Sequence, residues 1–235
     1  MNLISKFVFI LLIMQIFFGC KIKDHKENTG NVPIADTVNN KIDPLPSICI
    51  WDKLSLRDSP SQKGEWLSSV NLGEEIMYLG ESRKDSTNKN IEYIKIQLSD
   101  GKQGWASAYG IVIDALSGVL YKSSPIYQRP DLLTETNQNF NIMDMVAIQD
   151  VKDHWLYVIG NQRKKQGWIP AEHITTDRMN VAVAILANKA LADAETVEDK
   201  IKTLENFLQN TPFSQSIFMA TLEDKLDSLK RSKQK

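Results

Sequence analysis

Lys102-Gln103-Gly104-Trp105 returns later in the chain as Lys165-Gln166-Gly167-Trp168. The first copy follows an apolar run, Tyr93-Ile94-Lys95-Ile96, and the second follows Trp155-Leu156-Tyr157-Val158. Each then enters another small or apolar run, Ala106-Ser107-Ala108-Tyr109 or Ile169-Pro170-Ala171. A strand, a polar turn and a Gly-Trp opening the next strand is the grammar of a β-hairpin. Leu98-Ser99-Asp100-Gly101 carries the Asp-Gly pair that accepts positive φ cheaply. Two such hairpins predict two copies of one small β domain.

Working outward, the repeat extends upstream at one constant offset, with no gap required. Ile50-Trp51 falls on Leu120-Tyr121, Cys49 on Val119, and Leu56-Arg57-Asp58-Ser59-Pro60 on Ile126-Tyr127-Gln128-Arg129-Pro130. Val70, Leu72, Ile76 and Tyr78 fall on Phe140, Ile142, Val146 and Ile148. The offset shortens before the Gly-Trp pair, and the polar stretch from Ser82 to Asn90 absorbs the difference as a longer surface loop in the first copy. Short alternating apolar runs between turn signals predict about five strands per copy, which suits a small partly open barrel.

Three motifs of the first copy, in order, are Leu56-Arg57-Asp58-Ser59-Pro60, Leu72-Gly73-Glu74-Glu75-Ile76 and Ser99-Asp100-Gly101-Lys102-Gln103-Gly104-Trp105. Together they resemble the bacterial SH3-like (SH3b) family, over residues 47–113. The second copy, 114–175, departs more, with Tyr127 for Arg57 and Met143 for Gly73, but keeps Gly167-Trp168-Ile169. The resemblance implies two tandem SH3-like barrels that bind cell-wall peptides or act as spacers. Binding would use a shallow aromatic groove, since Trp and Tyr bring large rigid area with polar edges. Candidate ligand-binding residues are Trp51, Arg57, Trp66, Tyr93, Trp105 and Tyr109 in the first copy and Tyr127, Trp155 and Trp168 in the second. Small barrels also need aromatics inside, so part of this set is expected in the core.

The first 19 residues read as a signal peptide, with Lys6 in a positive n-region and an apolar run from Phe7 to Phe18. That run is shorter than the about 20 residues a membrane-spanning helix needs. Phe17-Phe18-Gly19-Cys20 resembles a bacterial lipobox. The resemblance implies lipidation of Cys20, hence a lipid-anchored protein of the cell envelope on the periplasmic or outer-membrane side. The alternative is a cleaved secretory signal that happens to contain cysteine. Residues 20–46 are polar and poor in large apolar side chains, which predicts a flexible tether of ~28 Å mean reach.

After Thr175 the period changes to that of helices. Residues 176–235 predict three: one from Arg178 to Ala194, a second opened by a capping box at Thr196-Val197-Glu198-Asp199, and a third for which Pro212 suits the first position. Their apolar stripes can close a small bundle or pack back on the second copy. The fold class is therefore mainly β with an α-helical C-terminal segment.

Composition narrows the function. Among the 235 residues the formal net charge is -1, with 42% apolar and 24% charged residues. This excludes a general electrostatic grip on nucleic acid. Arg163-Lys164-Lys165 reads as a solvated hairpin tip and Lys230-Arg231-Ser232-Lys233 as a helix end. Cys49 stands alone once Cys20 is assigned to the leader, and reads as a small buried hydrophobe. A cysteine hydrolase would need a thiolate beside His154 or His173, in the other copy. The histidines lack paired metal-ligand spacing and no Gly-rich phosphate loop occurs, so neither a catalytic residue, a metal nor a cofactor is expected. The expected function is non-catalytic binding of peptidoglycan or another envelope component. The alternative is a structural adaptor that docks an envelope protein through its C-terminal helices.

Overall fold

The computed structural model describes residues 43–209 and 211–233; Cys20, the leader and most of the expected tether lie outside them. Two seven-stranded antiparallel sheets are followed by three helices. The first sheet comprises β1 (Leu45–Cys49), β2 (Leu54–Arg57), β3 (Trp66–Val70), β4 (Glu75–Asp85), β5 (Ile91–Gln97), β6 (Gln103–Ser107) and β7 (Ile111–Ile113). The second comprises β8 (Leu116–Leu120), β9 (Ser124–Tyr127), β10 (Glu135–Phe140), β11 (Met145–Lys152), β12 (Trp155–Gly160), β13 (Gln166–Pro170) and β14 (Ile174–Thr175). The strand orders are β3-β2-β6-β5-β4-β1-β7 and β10-β9-β13-β12-β11-β8-β14, the same path walked twice. Leu45 and Pro46, expected at the end of the tether, already pair with Tyr78 and Met77.

Each sheet coils on itself. Cys49, Leu56, Val70, Ile76, Ile94, Ala106 and Ile111, one from every strand of the first sheet, share a single buried cluster. A flat sheet could not bring its two edges to one core. The Cys49 thiol reaches the Val70 carbonyl, 3.9 Å away on β3. Leu120, Ile126, Phe140, Val146, Val158 and Ile169 form the matching core of the second sheet, with Ile174 packed against it. Neither sheet closes: the edge strands β3 and β7, and β10 and β14, share no ladder.

The pairing corrects the alignment of the first strands. Ile48 lies opposite Glu75 in β4, and Val119 opposite Met145 in β11. The Gly73 amide donates to Cys49 O, and the Met143 amide to Leu120 O. Cys49 therefore matches Leu120, not Val119, because the turn after β1 holds Trp51-Asp52-Lys53 where the turn after β8 holds one residue fewer. A slip of one residue reverses the faces of a strand. The apolar run hid the slip because β1 and β8 are buried on both faces. Cys49 and Leu120 face their own cores, whereas Ile48 and Val119 face outward onto neighbouring structure.

What β1 and β8 meet on their outer faces sets the order of the molecule. Ile48, Ile50, Val112 and Ala115 pack on Met145, Ala147 and Ile159 of the second sheet. Val119 and Met143 pack on the helices α1 (Arg178–Asp193), α2 (Val197–Leu208) and α3 (Met219–Lys233). Arg163 fastens the seam between the sheets, its Nε donating to Tyr109 O (3.0 Å) and its Nη2 to Ile111 O (2.8 Å). The Gln162 amide adds a bond to Ile50 O at 2.8 Å. Arg163 is thus a clasp rather than a solvated tip, since its guanidinium caps two backbone carbonyls of the first sheet.

Asp177 caps α1 and Thr196 with Asp199 forms the expected capping box of α2. Pro212 lies in a single 3-10 turn, Thr211–Phe213, and the third α-helix starts only at Met219. Buried Asn180 explains the delay: its Oδ1 accepts from Ser216 Oγ (2.9 Å) and from the Ile217 amide (3.1 Å). Those bonds hold Ser216 and Ile217 out of α-helix, and the Phe218 carbonyl accepts the first intrahelical bond, from the Leu222 amide. Among the described residues no helix is long and apolar enough to cross a membrane.

Candidate functional site

Register builds the site. On the first sheet Trp66 lies opposite Arg57, Arg57 opposite Trp105 and Trp105 opposite Lys95. Directly paired residues share a face. Since Leu56, Ile94 and Ala106 point into the core, this row runs across the outside. Arg57 is held by one bond, Nη1 to the Gly64 carbonyl at 2.7 Å, leaving its remaining donors unbonded among the described residues. Trp66 is 59% exposed, while Trp105 is half-buried. Lys95 closes the row with an ion pair to Glu81 at 2.8 Å.

A wall rises beside the row. The polar stretch expected as a surface loop is strand as far as Asp85, so the insertion lengthens the β4–β5 hairpin. Its tip folds onto the loop between β2 and β3. Asp85 accepts from Ser61 Oγ (2.9 Å), Thr87 Oγ1 (2.6 Å) and the Thr87 amide (3.0 Å), and Asn88 donates to Gln62 Oε1 (2.6 Å). The hydroxyls of Thr87 and Ser61 hold the Asp85 carboxyl below its ordinary range. Tyr93 lies in the same neighbourhood. Burial first, then the Asp85 charge, push its phenol up, and Arg57 partly offsets them.

The second sheet carries a different version. Glu135 stands where Trp66 does, Tyr127 where Arg57 does, and Tyr157 where Lys95 does. The Tyr127 ring is buried edge-on to Trp155 with centroids 4.9 Å apart, and Tyr157 meets Trp168 at 5.5 Å. Tyr157 also packs against the seam between the sheets. Burial, then the Glu135 charge, raise the Tyr127 phenol. Here the rings satisfy one another.

The nine candidate residues thus separate into groups. Arg57, Trp66, Tyr93 and Trp105 come together on the first sheet. Tyr127, Trp155 and Trp168 form the self-packed row of the second. Trp51 and Tyr109 meet edge-on at 5.6 Å elsewhere, with the Tyr109 hydroxyl donating to Gln162 O across the seam at 3.2 Å. Tyr109 thus reaches across the seam, and Trp51 packs against the core of the first sheet. Sequence reasoning missed Asp85, Ser61, Lys95 and Glu81. A buried Asp inside a polar run leaves no periodic signal, although an Asp two residues before a Thr is a turn-capping pattern.

Cys49 is fully buried, its thiol donating to Trp51 O at 3.1 Å, and desolvation pushes it up to about 12. At neutral pH it is a thiol, not the thiolate a nucleophile needs. A serine, a histidine and a carboxylate do meet in the second sheet, with His173 Nδ1 2.9 Å from Ser124 Oγ and Nε2 3.7 Å from Glu172. Ser124 is 0% exposed and donates to its neighbour Pro125 O, so no substrate carbonyl reaches it. Among the described residues no three His, Cys, Asp or Glu are grouped to hold a metal.

No known family and no curated protein matches the chain. Among solved structures it is similar to NlpC2 from Trichomonas vaginalis, at 12% identity over 63% of this chain and 56% of that one, with a TM-score of 0.26. NlpC1 from Trichomonas vaginalis is similar at 12% identity over 69% and 57%, with a TM-score of 0.25. The chain spans less than two thirds of the length of either. A likeness of this degree assigns neither a fold nor an activity.

Proposed function

We propose that the chain is a non-catalytic lipoprotein of the bacterial envelope that binds peptidoglycan through the outer face of its first sheet. In this reading each coiled sheet is an SH3-like barrel left open at one side. The observation that carries it is the difference between two otherwise parallel rows. The row Trp66–Arg57–Trp105 keeps an exposed indole and a guanidinium with unspent donors, while its counterpart is filled by its own rings. An exposed indole offers a face for sugar rings or peptide planes, and Arg57 offers a fork for a carboxylate. Peptidoglycan presents all three. The Asp85 wall limits the groove on one side and favours extended ligands lying along the row.

Co-sedimentation of the purified protein with peptidoglycan sacculi tests this. Wild-type protein and Trp168→Ala are expected in the pellet. Trp66→Ala and Arg57→Gln, each with an unchanged circular dichroism spectrum, are expected to bind about tenfold more weakly, a loss of ~1.4 kcal/mol. Wild-type protein that stays in the supernatant would refute wall binding. The anchor is tested separately, since Cys20→Ser is expected to move the protein from the membrane to the soluble fraction. Unchanged fractionation would count against lipidation. The adaptor alternative would have to use what the helices leave exposed, since most of their apolar stripes close on one another and on Val119 and Met143.

A further inference from the structure

The two sheets and α1 meet at a cleft of about 420 Å³, away from the aromatic row. That size lies in the range of small-molecule sites, which favour the junctions of separate structural units. Its floor is apolar, built from Leu72, Met145 and Ile185, and its rim is charged.

The rim charges fall into two groups. Lys189 stands 3.7 Å from Asp52 and 4.0 Å from Asp193, one cation shared by two carboxylates. Lys165 stands 3.9 Å from Asp144, with Lys164 beside it on the same rim. The first group thus carries a surplus negative charge and the second a surplus positive one, so the cleft is dipolar although neutral as a whole. The ion pairs are also slack, although Lys165 Nζ has one short bond, to Asn139 O at 2.6 Å. Elsewhere, ion pairs joining different elements close to 2.8 Å at Lys95–Glu81 and Lys230–Glu205 and to 3.1 Å at Lys233–Glu198. Those around the cleft stop well short of the 2.7–2.9 Å of a charge-assisted hydrogen bond. The carboxylates of Asp52 and Asp193 accept no hydrogen bond among the described residues, and Lys164 has no anionic partner there.

We propose that this cleft binds a small zwitterion, an amino acid or short peptide with a free ammonium, a free carboxylate and an apolar side chain. The ammonium fits between Asp52 and Asp193, and the carboxylate at Lys164 and Lys165. The side chain covers Leu72, Met145 and Ile185. A neutral zwitterion matches both surpluses at once, whereas a polyanion or polycation satisfies one group and is repelled by the other. Because both sheets and α1 line the cleft, the ligand touches all three. The inference is independent of wall binding by the first sheet.

The test is an NMR titration of the purified, ¹⁵N-labelled protein with the tripeptide Ala-Leu-Ala. The same peptide acetylated at its amino end, amidated at its carboxyl end, or blocked at both is run beside it. The free peptide is expected to shift the amides of Leu72, Asn161, Ile185 and Asn188. Blocking either end should weaken binding about tenfold, the loss of one charged hydrogen-bond set. Asp52→Asn should abolish discrimination against the acetylated peptide only, and Lys164→Ala should reduce discrimination against the amidated one only. No shift with any peptide at millimolar concentration overturns the proposal. So does equal binding of the doubly blocked peptide, or shifts confined to Arg57 and Trp66.

Discussion

Gly104→Ala and Gly167→Ala are each expected to lower the unfolding free energy by about 3 kcal/mol, the upper end of what overpacking a core costs. At Gly104 an added Cβ would lie 2.7 Å from the Arg57 carbonyl oxygen and 2.8 Å from Leu56 Cγ. At Gly167 it would lie 2.8 Å from the Tyr127 carbonyl oxygen and 2.6 Å from Ile126 Cγ2, at a φ of +150°. Both glycines sit where β6 crosses β2, or β13 crosses β9, next to the pairs Arg57–Trp105 and Tyr127–Trp168. The obstacle is backbone of the neighbouring strand, which cannot swing aside like the end of a side chain. Gly101→Ala separates this collision from the general cost of replacing glycine. Gly101 has a φ of +86° but open space around its Cβ position, with the nearest atom 3.9 Å away. Its replacement should cost only about 1 kcal/mol of backbone strain. Urea unfolding midpoints at constant slope measure all three. If Gly104→Ala were no worse than Gly101→Ala, strand crossing would not be the reason that Gly-Trp occurs twice. Because the crossing also sets Arg57 beside Trp105, a tolerated Gly104→Ala should still disturb the row of Trp66, Arg57 and Trp105.

This crossing explains why so much of the architecture was legible. A glycine demanded by backbone contact, followed by an indole that covers the outside, is a local requirement and leaves a local mark. The capping box of α2 and the apolar stripes of α1 and α2 are legible for the same reason. What stayed hidden depends on partners distant in sequence. Arg163 reads as an exposed cation until the carbonyls of Tyr109 and Ile111 are placed beneath it. Tyr109 reads as a groove aromatic until its hydroxyl is found on Gln162 O. Asp85 sits in a run that any composition rule assigns to a loop, yet it is buried by the β2–β3 loop folding over it. Composition picks out the aromatic rings, but whether a ring faces a groove, a seam or another ring is decided by register. The one-residue slip after β1 shows how little of register survives in a strand that is apolar on both faces.

Phe218→Ala is expected to cost about 4 kcal/mol, in the range for emptying an aromatic site in a packed core. Phe218 is 1% exposed and shares its cluster with Leu204 and Leu222 of the helices and with Val119 and Met143 of the second sheet. The helices are therefore not an appendage, and the variant should unfold the second sheet and the helices in one transition. Near-ultraviolet circular dichroism of Trp155 and Trp168 and far-ultraviolet helicity should lose their signals at the same urea concentration. Helical signal lost well before the aromatic signal would show instead that the helices fold and act as a separate unit. The distinction bears on the adaptor alternative. Deleting the chain from Asp177 onward would strip Val119 and Met143 of their cover, so a partner lost on deletion would not show that the helices bind it. The informative positions are those the core leaves free, Leu186 and Val197, which are 45% and 39% exposed. Replacing them with serine spares the shared core while removing the two most exposed large apolar side chains of the helices. A partner that survives both substitutions is not held by that surface, and one that is lost with the core intact is.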